Sequence, residues 1–219
     1  MRNRKRTNFI CILATGAALG VILLASFEFG PSIDGRLHSE IGRALAREAL
    51  SLLPPGGEIT VVTRDTEAFP QPALDILLKG FRREVRQAGA IAVTTKSLPL
   101  DPLRPVEVPP GDFYELIRRS DDRRVIVSLL GPPALTAEQR GALGSVQPKI
   151  VAVCSGNLAE ALDLGQLFDS GLLHVALINR PMERSTADTT SRGAMGFDQL
   201  YTVVRGDPGI STGSSQASR

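Results

Sequence analysis

Five short apolar runs alternate with stretches of helical periodicity along residues 58–181, and this alternation limits the fold more than any other feature of the chain. The runs read EITVVT, AIAVTT, RVIVSLL, KIVAVC and LLHVALIN, and they begin at residues 58, 90, 124, 149 and 172. Strands that are apolar throughout and are separated by helices form a parallel sheet that helices cover on both faces. With right-handed crossovers, the pattern predicts a three-layer, doubly wound α/β domain with strand order 2-1-3-4-5.

The sequence is less regular inside and after this domain. Residues 97–112 form a Pro-rich connection that is longer than the about two to six residues usual between a strand and a helix, so we expect a functional lid or a covering loop. Residues 182–219 form a polar tail whose C-terminal end is expected to be disordered. Within this tail, residues 197–204 (FDQLYTVV) can add a sixth strand at a sheet edge.

The N-terminus combines a basic cluster with a long uncharged run. The first seven residues include the basic side chains of Arg2, Arg4, Lys5 and Arg6. Residues 9–27 carry no charge, and as a helix they would span about 28 Å, close to the thickness of a bilayer core. We therefore expect residues 1–8 to be a cytoplasmic tail and residues 9–29 an uncleaved transmembrane signal anchor in the inner or cytoplasmic membrane, with the body outside the cytoplasm in the periplasm. A cleaved signal peptide and a buried soluble helix are the alternatives.

Residues 30–57 are expected to form an amphipathic helix followed by a linker. Apolar side chains recur at spacings of three and four, at Ile33, Leu37, Ile41, Leu45, Ala49 and Leu52. Two prolines and two glycines at residues 54–57 then end the helix. Such a helix can lie on a membrane, pair with a partner helix or pack back on the domain.

The charge balance argues against nucleic acid as the partner. The chain has 25 Lys and Arg residues and 23 Asp and Glu residues. Because four of the basic residues belong to the N-terminal cluster, the rest of the chain is weakly acidic, and we expect no basic stripe in it. Proteins that bind nucleic acids usually carry such a stripe.

Ligands of doubly wound sheets bind beyond the carboxyl ends of the strands. The polar residues predicted at these ends are Arg64, Asp65 and Thr66 after strand one, Lys96 after strand two, Ser155 and Asn157 after strand four, and Asn179 after strand five. We predict these seven as ligand-binding residues. For Ser155 and Asn157, capping of the helix that follows is the alternative role.

No residue pattern points to catalysis. Cys154 ends strand four and His174 lies near the start of strand five, so about 13 Å separates them in a parallel sheet. That distance excludes a nucleophile and base pair. The motifs of phosphate-binding, dinucleotide-binding, zinc-peptidase and serine-hydrolase sites are missing from the sequence. We therefore predict no catalytic residue, no metal and no cofactor, and keep a hydrolase that uses Asp65 or Ser155 as an alternative.

The first strand and helix, TVVTRDTEAFPQPALDILLKGFRREVRQAG, resemble a known family. Pro72-Ala73-Leu74-Asp75, then Lys79-Gly80-Phe81-Arg82 and finally Gly89 are similar to the first helix of ABC-transporter substrate-binding proteins of the periplasmic-binding type I superfamily. The resemblance covers residues 58–181 and implies one lobe of that flavodoxin-like fold. In the family, two lobes close on a small solute, which by position implicates Arg64, Asp65, Thr66 and Ser155.

These observations lead to one expected function and several alternatives. We expect a non-catalytic, membrane-anchored domain that senses a ligand or binds another protein of the cell envelope, with a small solute, a second copy of the chain or an envelope protein as partner. The solute-binding component of a transporter and a scaffold that acts through its amphipathic helix are alternatives. Because 219 residues have room for a single lobe, we expect no enclosure of a ligand by two lobes that close on a hinge.

Overall fold

The computed structural model describes residues 33–67, 70–99, 110–154, 162–180 and 196–206. The described residues from Asp34 onward belong to one compact unit. The predicted basic tail and membrane anchor lie outside the described residues, as do most of the Pro-rich connection and the end of the tail. Among the helices of the described part, none is both long and apolar enough to cross a bilayer.

Helices and strands alternate as the sequence predicts. The helices are α1 (Gly35–Leu52), α2 (Pro72–Ala88), α3 (Pro110–Arg118), α4 (Ala137–Gly141), α5 (Leu164–Asp169) and α6 (Phe197–Leu200). The strands are β1 (Glu58–Arg64), β2 (Val93–Leu98), β3 (Arg124–Ser128), β4 (Lys149–Cys154), β5 (Val175–Asn179) and β6 (Tyr201–Arg205). They form one sheet in the order β2-β1-β3-β4-β5-β6. The predicted order 2-1-3-4-5 is confirmed.

The pairing of the strands follows from their connections. The strands β1 to β5 are parallel, and β6 is antiparallel to β5. The chain segment predicted as a strand at residues 197–204 is divided, because its first four residues form the single turn of α6. In that turn the Gln199 side chain accepts a hydrogen bond from the backbone N–H of Gly196 at 3.2 Å. The rings of Phe197 and Tyr201 stack at a centroid distance of 5.6 Å.

Successive side chains of a strand point to opposite faces, so the sheet has a core layer on each side. Right-handed crossovers place α2 on one face and α3, α4 and α5 on the other. The core beneath α3 and α5 contains Val62, Phe113, Ile117, Ile126, Ile150 and Leu167. The core on the α2 face contains Ile41, Leu45, Val61, Phe81, Val127 and Leu177.

The helix α1 completes the cover of the α2 face. Its side chains Ile41, Leu45 and Ala49 are buried against the sheet and against α2. Close approach of the two helices depends on glycine, because a Cβ atom on Gly80 would lie 2.6 Å from the carbonyl oxygen of Ser39, and one on Gly42 would collide with the carbonyl oxygen of Leu77. Of the three positions that the sequence left open for this helix, the structure shows packing on the domain. The apolar face of α1 is therefore not free to bind a partner helix.

The described end of the chain also holds α1. Arg205 in β6 donates from Nε and Nη2 to the two carboxylate oxygens of Glu48, at 2.8 Å and 2.5 Å. At the other end of α1, the Asp34 side chain accepts hydrogen bonds from the backbone N–H groups of Arg36 and Leu37, both at 3.0 Å. The contacts of Asp34 satisfy backbone N–H groups that have no partner within the helix.

Candidate functional site

The parallel strands end together at one edge of the sheet, where Arg64, Leu98, Ser128, Cys154 and Asn179 are their last residues. The connection of β1 leaves toward β2, whereas the connection of β3 leaves toward β4. The switch in direction therefore lies between the neighbouring strands β1 and β3. Ligands of doubly wound sheets bind at this point because the two connections diverge and leave a crevice.

Arg64 is the charged residue at the end of β1, directly beside this switch. The side chain is half-buried, its Nη2 atom is buried, and in the described part of the structure this atom has no hydrogen-bond partner. A buried donor without a partner costs about 1–3 kcal/mol. The alternation along β1 places Arg64 on the face of Val62, above the core beneath α3.

Asp65 and Thr66 follow Arg64 in the turn after β1. The backbone N–H of Asp65 donates to the carbonyl oxygen of Leu98 at 2.8 Å, which extends the pairing with β2 by one residue. Its carboxylate oxygen Oδ1 accepts from the backbone N–H of Glu67 at 2.9 Å. One oxygen of Asp65 is thus used to hold the turn, and Thr66 is half-buried beside it.

The predicted position of Lys96 is wrong. The sequence placed it after strand two, whereas it lies within β2 and pairs in register with Val62. The strand begins three residues later than predicted because the apolar residues after Gly89 form a turn, in which Ile91 donates its backbone N–H to the carbonyl oxygen of Gly89 at 3.1 Å. The Lys96 side chain is half-buried on the edge strand and shares the face of Val62 and Arg64.

Asn179 ends β5 on the opposite face from Arg64. Its Oδ1 atom is buried and accepts no hydrogen bond from the described residues. The strands β3 and β4 separate β5 from β1, which sets about 14 Å between the two strand ends. The alternation along β5 places Asn179 on the face of Leu177, in the core layer of α1 and α2. The structure therefore brings Arg64, Asp65, Thr66 and Lys96 together and leaves Asn179 apart.

Ser155 and Asn157 lie outside the described residues, so their predicted role stays a prediction. The described helix after β4 begins at Leu164, and Asp163 caps it by accepting from the backbone N–H of Gln166 at 3.0 Å.

Sequence reasoning missed one buried hydroxyl at the same edge. Thr63, one residue before Arg64, is 3% exposed, and its Oγ1 atom has no hydrogen-bond partner among the described residues. It points to the face of α1 and α2. A threonine inside an apolar run is read from sequence as a strand residue, so no sequence signal distinguished it.

A cavity of about 350 Å³ opens between the start of α4 and the start of α5. Its lining is apolar at Pro133, Leu135 and Leu167 and polar at Arg140 and Asp163. Arg140 donates from Nη1 to Oε1 of Gln166 at 2.9 Å, so part of this polar rim is already satisfied within the protein. Sequence analysis did not identify the cavity because its two walls come from helices that are far apart in the chain.

Cys154 and His174 are held in unreactive states. Burial raises the pKa of the Cys154 thiol to about 11. Burial, together with the positive charge of Lys149, lowers the pKa of His174 to about 4. His174 lies just before β5, whereas Cys154 pairs in register with Ile178 at the other end of that strand. In the described part of the chain, no group of His, Cys, Asp and Glu side chains could hold a metal ion.

The comparisons with known proteins concern the fold. The chain matches no protein-family model and no curated protein. Among solved structures it resembles the XylFII molecule, with 12% identity and a TM-score of 0.44, over 67% of this chain and 50% of that one. It also resembles a solute-binding protein from Burkholderia graminis C4D1M in complex with D-arabinose, with 19% identity and a TM-score of 0.48, over 77% of this chain and 59% of that one.

A third similar structure is a sugar ABC transporter sugar-binding protein from Bacillus halodurans, with 13% identity and a TM-score of 0.49, over 77% of this chain and 62% of that one. The chain spans about half the length of the first of these structures. The solved structures that the chain resembles include several solute-binding proteins of ABC transporters, which is the class of protein that the helix α2 resembles in sequence.

Proposed function

We propose that the chain is a membrane-anchored, extracytoplasmic binding domain that holds a small polar solute at the carboxyl edge of its sheet and catalyses no reaction. The observation that carries the proposal is the buried Nη2 atom of Arg64, which lies beside the switch in strand direction and has no partner among the described residues. A domain gains nothing in stability from such a group. A ligand that accepts its hydrogen bond would remove the cost.

The chemistry around Arg64 indicates the class of ligand. A guanidinium group donates to carboxylate and hydroxyl oxygens, and it binds carboxylates through two parallel hydrogen bonds. Lys96 shares the face of Arg64 in the neighbouring strand, and Thr66 adds a hydroxyl group in the turn after β1. We therefore propose a small solute rich in oxygen, such as a sugar, a sugar acid or a carboxylate.

The other predicted ligand-binding residues differ in whether they would contact the same solute as Arg64. Ser155 and Asn157 would contribute from the end of β4, two strands from β1. Asn179 lies about 14 Å from the end of β1 and on the other face, so it would not bind the same small solute as Arg64. Asp65 would accept hydrogen bonds with the carboxylate oxygen that the turn leaves free.

The states of Cys154 and His174 support a role in binding without catalysis. A thiol with a pKa near 11 is protonated at neutral pH and is a poor nucleophile. A histidine with a pKa near 4 is a weak base, and its Nδ1 atom already accepts a backbone hydrogen bond from Ile150. These states support a binding role.

The membrane anchor rests on the sequence, where the basic cluster and the uncharged run of residues 9–27 have the order and length of a signal anchor. Resistance of the membrane-bound chain to extraction by alkaline carbonate supports it, and release would contradict it.

The binding proposal is tested by thermal unfolding of the full chain in detergent with neutral sugars, sugar acids, amino acids and dicarboxylates. A rise in the melting temperature with one class of solute, in proportion to its concentration, is the expected result. No rise with any class at millimolar concentration would contradict the proposal. A sensor and a transporter component share this binding step, and a pull-down with and without the solute identified in the panel separates them by the partner recovered.

A further inference from the structure

The solvent-facing side of α2 carries a row of basic side chains that the binding site does not use. Lys79, Arg82, Arg83 and Arg86 recur at spacings of three and four, so they share one side of the helix, and all four are exposed. We call this row the α2 stripe. The expectation that the body lacks a basic stripe is therefore wrong. The net charge of the chain does not reveal this row, because its residues come to lie on one side only when the segment is helical.

The α2 stripe is weakly neutralised within the protein. Arg82 donates from Nη2 to the hydroxyl group of Thr95 at 3.1 Å, which is an uncharged partner. The other three residues of the stripe form no ion pair with a carboxylate of the described residues. The helix α2 has two carboxylates: Asp75, four residues before Lys79, forms no ion pair among the described residues, and Glu84 faces α1, where Arg47 lies 3.9 Å away. Arg118 and Arg119 on the other face of the sheet differ, because both contact Glu115.

The proposed anchor favours a lipid surface as the partner of this stripe. The predicted anchor precedes α1 in the sequence, so an anchored domain would stay at a bilayer and meet lipid at a high local concentration. Within the body, α1 and α2 run side by side in the same direction, since Gly35 lies against Ile76 and Ser39 lies against Gly80.

We propose that the α2 stripe docks the domain on the surface of an anionic lipid bilayer. Each Lys or Arg near such a surface contributes attraction that decays within about a Debye length, roughly 8 Å at physiological salt. The opposite face of the sheet fits this surface less well, because its Arg118 and Arg119 contact Glu115 and because α3 and α5 also present Asp112 and Asp169. The proposal uses the anchor of the proposed function but not the solute site.

The test measures how closely α2 approaches the lipid. The full chain is reconstituted into vesicles of phosphatidylcholine, alone or mixed with phosphatidylglycerol. A dye on Gln87→Cys, an exposed position of α2, reports by energy transfer to an acceptor lipid, and the unsubstituted chain gives the background from its own cysteines. We expect stronger transfer with phosphatidylglycerol, and loss of this difference at high salt.

Two matched triple variants test whether the α2 stripe causes the dependence of energy transfer on lipid charge. Lys79→Gln, Arg83→Gln and Arg86→Gln together remove three charges of the stripe and leave Arg82 on Thr95. Arg118→Gln, Arg119→Gln and Arg140→Gln remove three charges from the other face. The stripe variant should lower the ratio of docked to undocked molecules by about a hundredfold, whereas the control variant should behave as the parent.

The remaining outcomes overturn the proposal. Energy transfer of equal strength with and without phosphatidylglycerol would overturn it. An equal decrease in docking for the stripe variant and the control variant would overturn it as well. If the stripe binds a duplex oligonucleotide in the same salt and ignores phosphatidylglycerol, nucleic acid is the occupant instead. Flotation of the chain with vesicles separates failure of the docking proposal from failure of the proposed anchor. A chain without an anchor would float with anionic vesicles at low salt only, whereas an anchored chain would float with both kinds of vesicle at high salt.

Discussion

His174 and Ile150 exchange two hydrogen bonds where β5 begins beside β4. The backbone N–H of Ile150 donates to Nδ1 of His174 at 3.2 Å, and the backbone N–H of His174 donates to the carbonyl oxygen of Ile150 at 2.8 Å. Since Nδ1 accepts a hydrogen bond, the imidazole is neutral in the folded protein. Protonation would break this contact and place a charge in a largely buried site beside Lys149.

Stability should therefore depend on pH through His174. Its pKa is lowered from 6.5 to about 4 by burial and by Lys149, so the unfolded state binds the proton more tightly. Below pH 6.5 the free energy of unfolding should fall as the pH falls, and the loss should be complete near pH 4. We expect a loss of about 2 kcal/mol after allowance for partial solvent exposure.

Denaturant unfolding of the parent and of His174→Gln between pH 7.5 and pH 4 checks this dependence. The difference between the two curves isolates His174 from the carboxylates that titrate in the same range. Parallel curves would show that the imidazole is not held neutral.

The contact of α1 with α2 gives a second prediction. Gly42→Ala places a methyl group against the carbonyl oxygen of Leu77, so the helices must separate, and we expect a loss of about 2–3 kcal/mol in unfolding free energy. Gly141→Ala in α4 is the matched control, since a Cβ atom there meets nothing within 4 Å. The control should be neutral or slightly stabilising, because alanine favours the helix. Equal effects of the two variants in denaturant unfolding would mean that α1 does not depend on this close approach.

The pair of Arg205 and Glu48 gives a third prediction. The Glu48 side chain is only 13% exposed, whereas Arg205 is 63% exposed, so the pair is partly shielded from solvent. A double-mutant cycle with Glu48→Gln and Arg205→Gln should give a coupling of about 1 kcal/mol that weakens with added salt. The same cycle on Arg118 and Glu115, both about half exposed, should give a smaller value. A larger coupling for the second pair would contradict the role assigned to β6 in holding α1.

The sequence predicted the sheet well because its order depends on few physical rules. Apolar runs such as RVIVSLL identify buried strands, and the handedness of crossovers then restricts their order. The strand ends depend on local hydrogen bonds that the pattern does not show. The apolar residues after Gly89 satisfy the strand pattern, yet Ile91 donates to the carbonyl oxygen of Gly89, and the register with β1 begins only at Val93, which moves Lys96 into the strand.

The position of α1 could not be derived from its periodicity. An amphipathic pattern shows that one side of a helix is buried but not which surface covers it. The signal was present in Gly42 and Gly80, whose missing side chains allow close helix packing. Two such glycines are recognised as partners only when the register of the two helices is known.

The candidate site was predicted in part for a similar reason. Its residues were chosen because they follow strands, and Arg64 and Asn179 do lie at strand ends. Which face each side chain takes depends on where the alternation of its strand begins. A shift of one residue reverses that face, so the sequence could not show that Arg64 and Asn179 lie on opposite sides of the sheet.

The proposed solute site is tested most directly through Arg64→Met, which keeps the length of the side chain and removes its charge and donors. Melting temperature and isothermal titration are measured on the full chain with the solute found in the panel, and Arg118→Met, on an exposed helix surface, is the control. Because the Nη2 donor of Arg64 has no partner among the described residues, the variant should be as stable as the parent without solute, or more stable. It should bind the solute at least a hundredfold more weakly, as expected for loss of a charge-assisted hydrogen bond in a partly buried site. Unchanged affinity, or a large loss of stability in the absence of solute, would contradict the account, since Arg64 would then hold the fold and not the ligand.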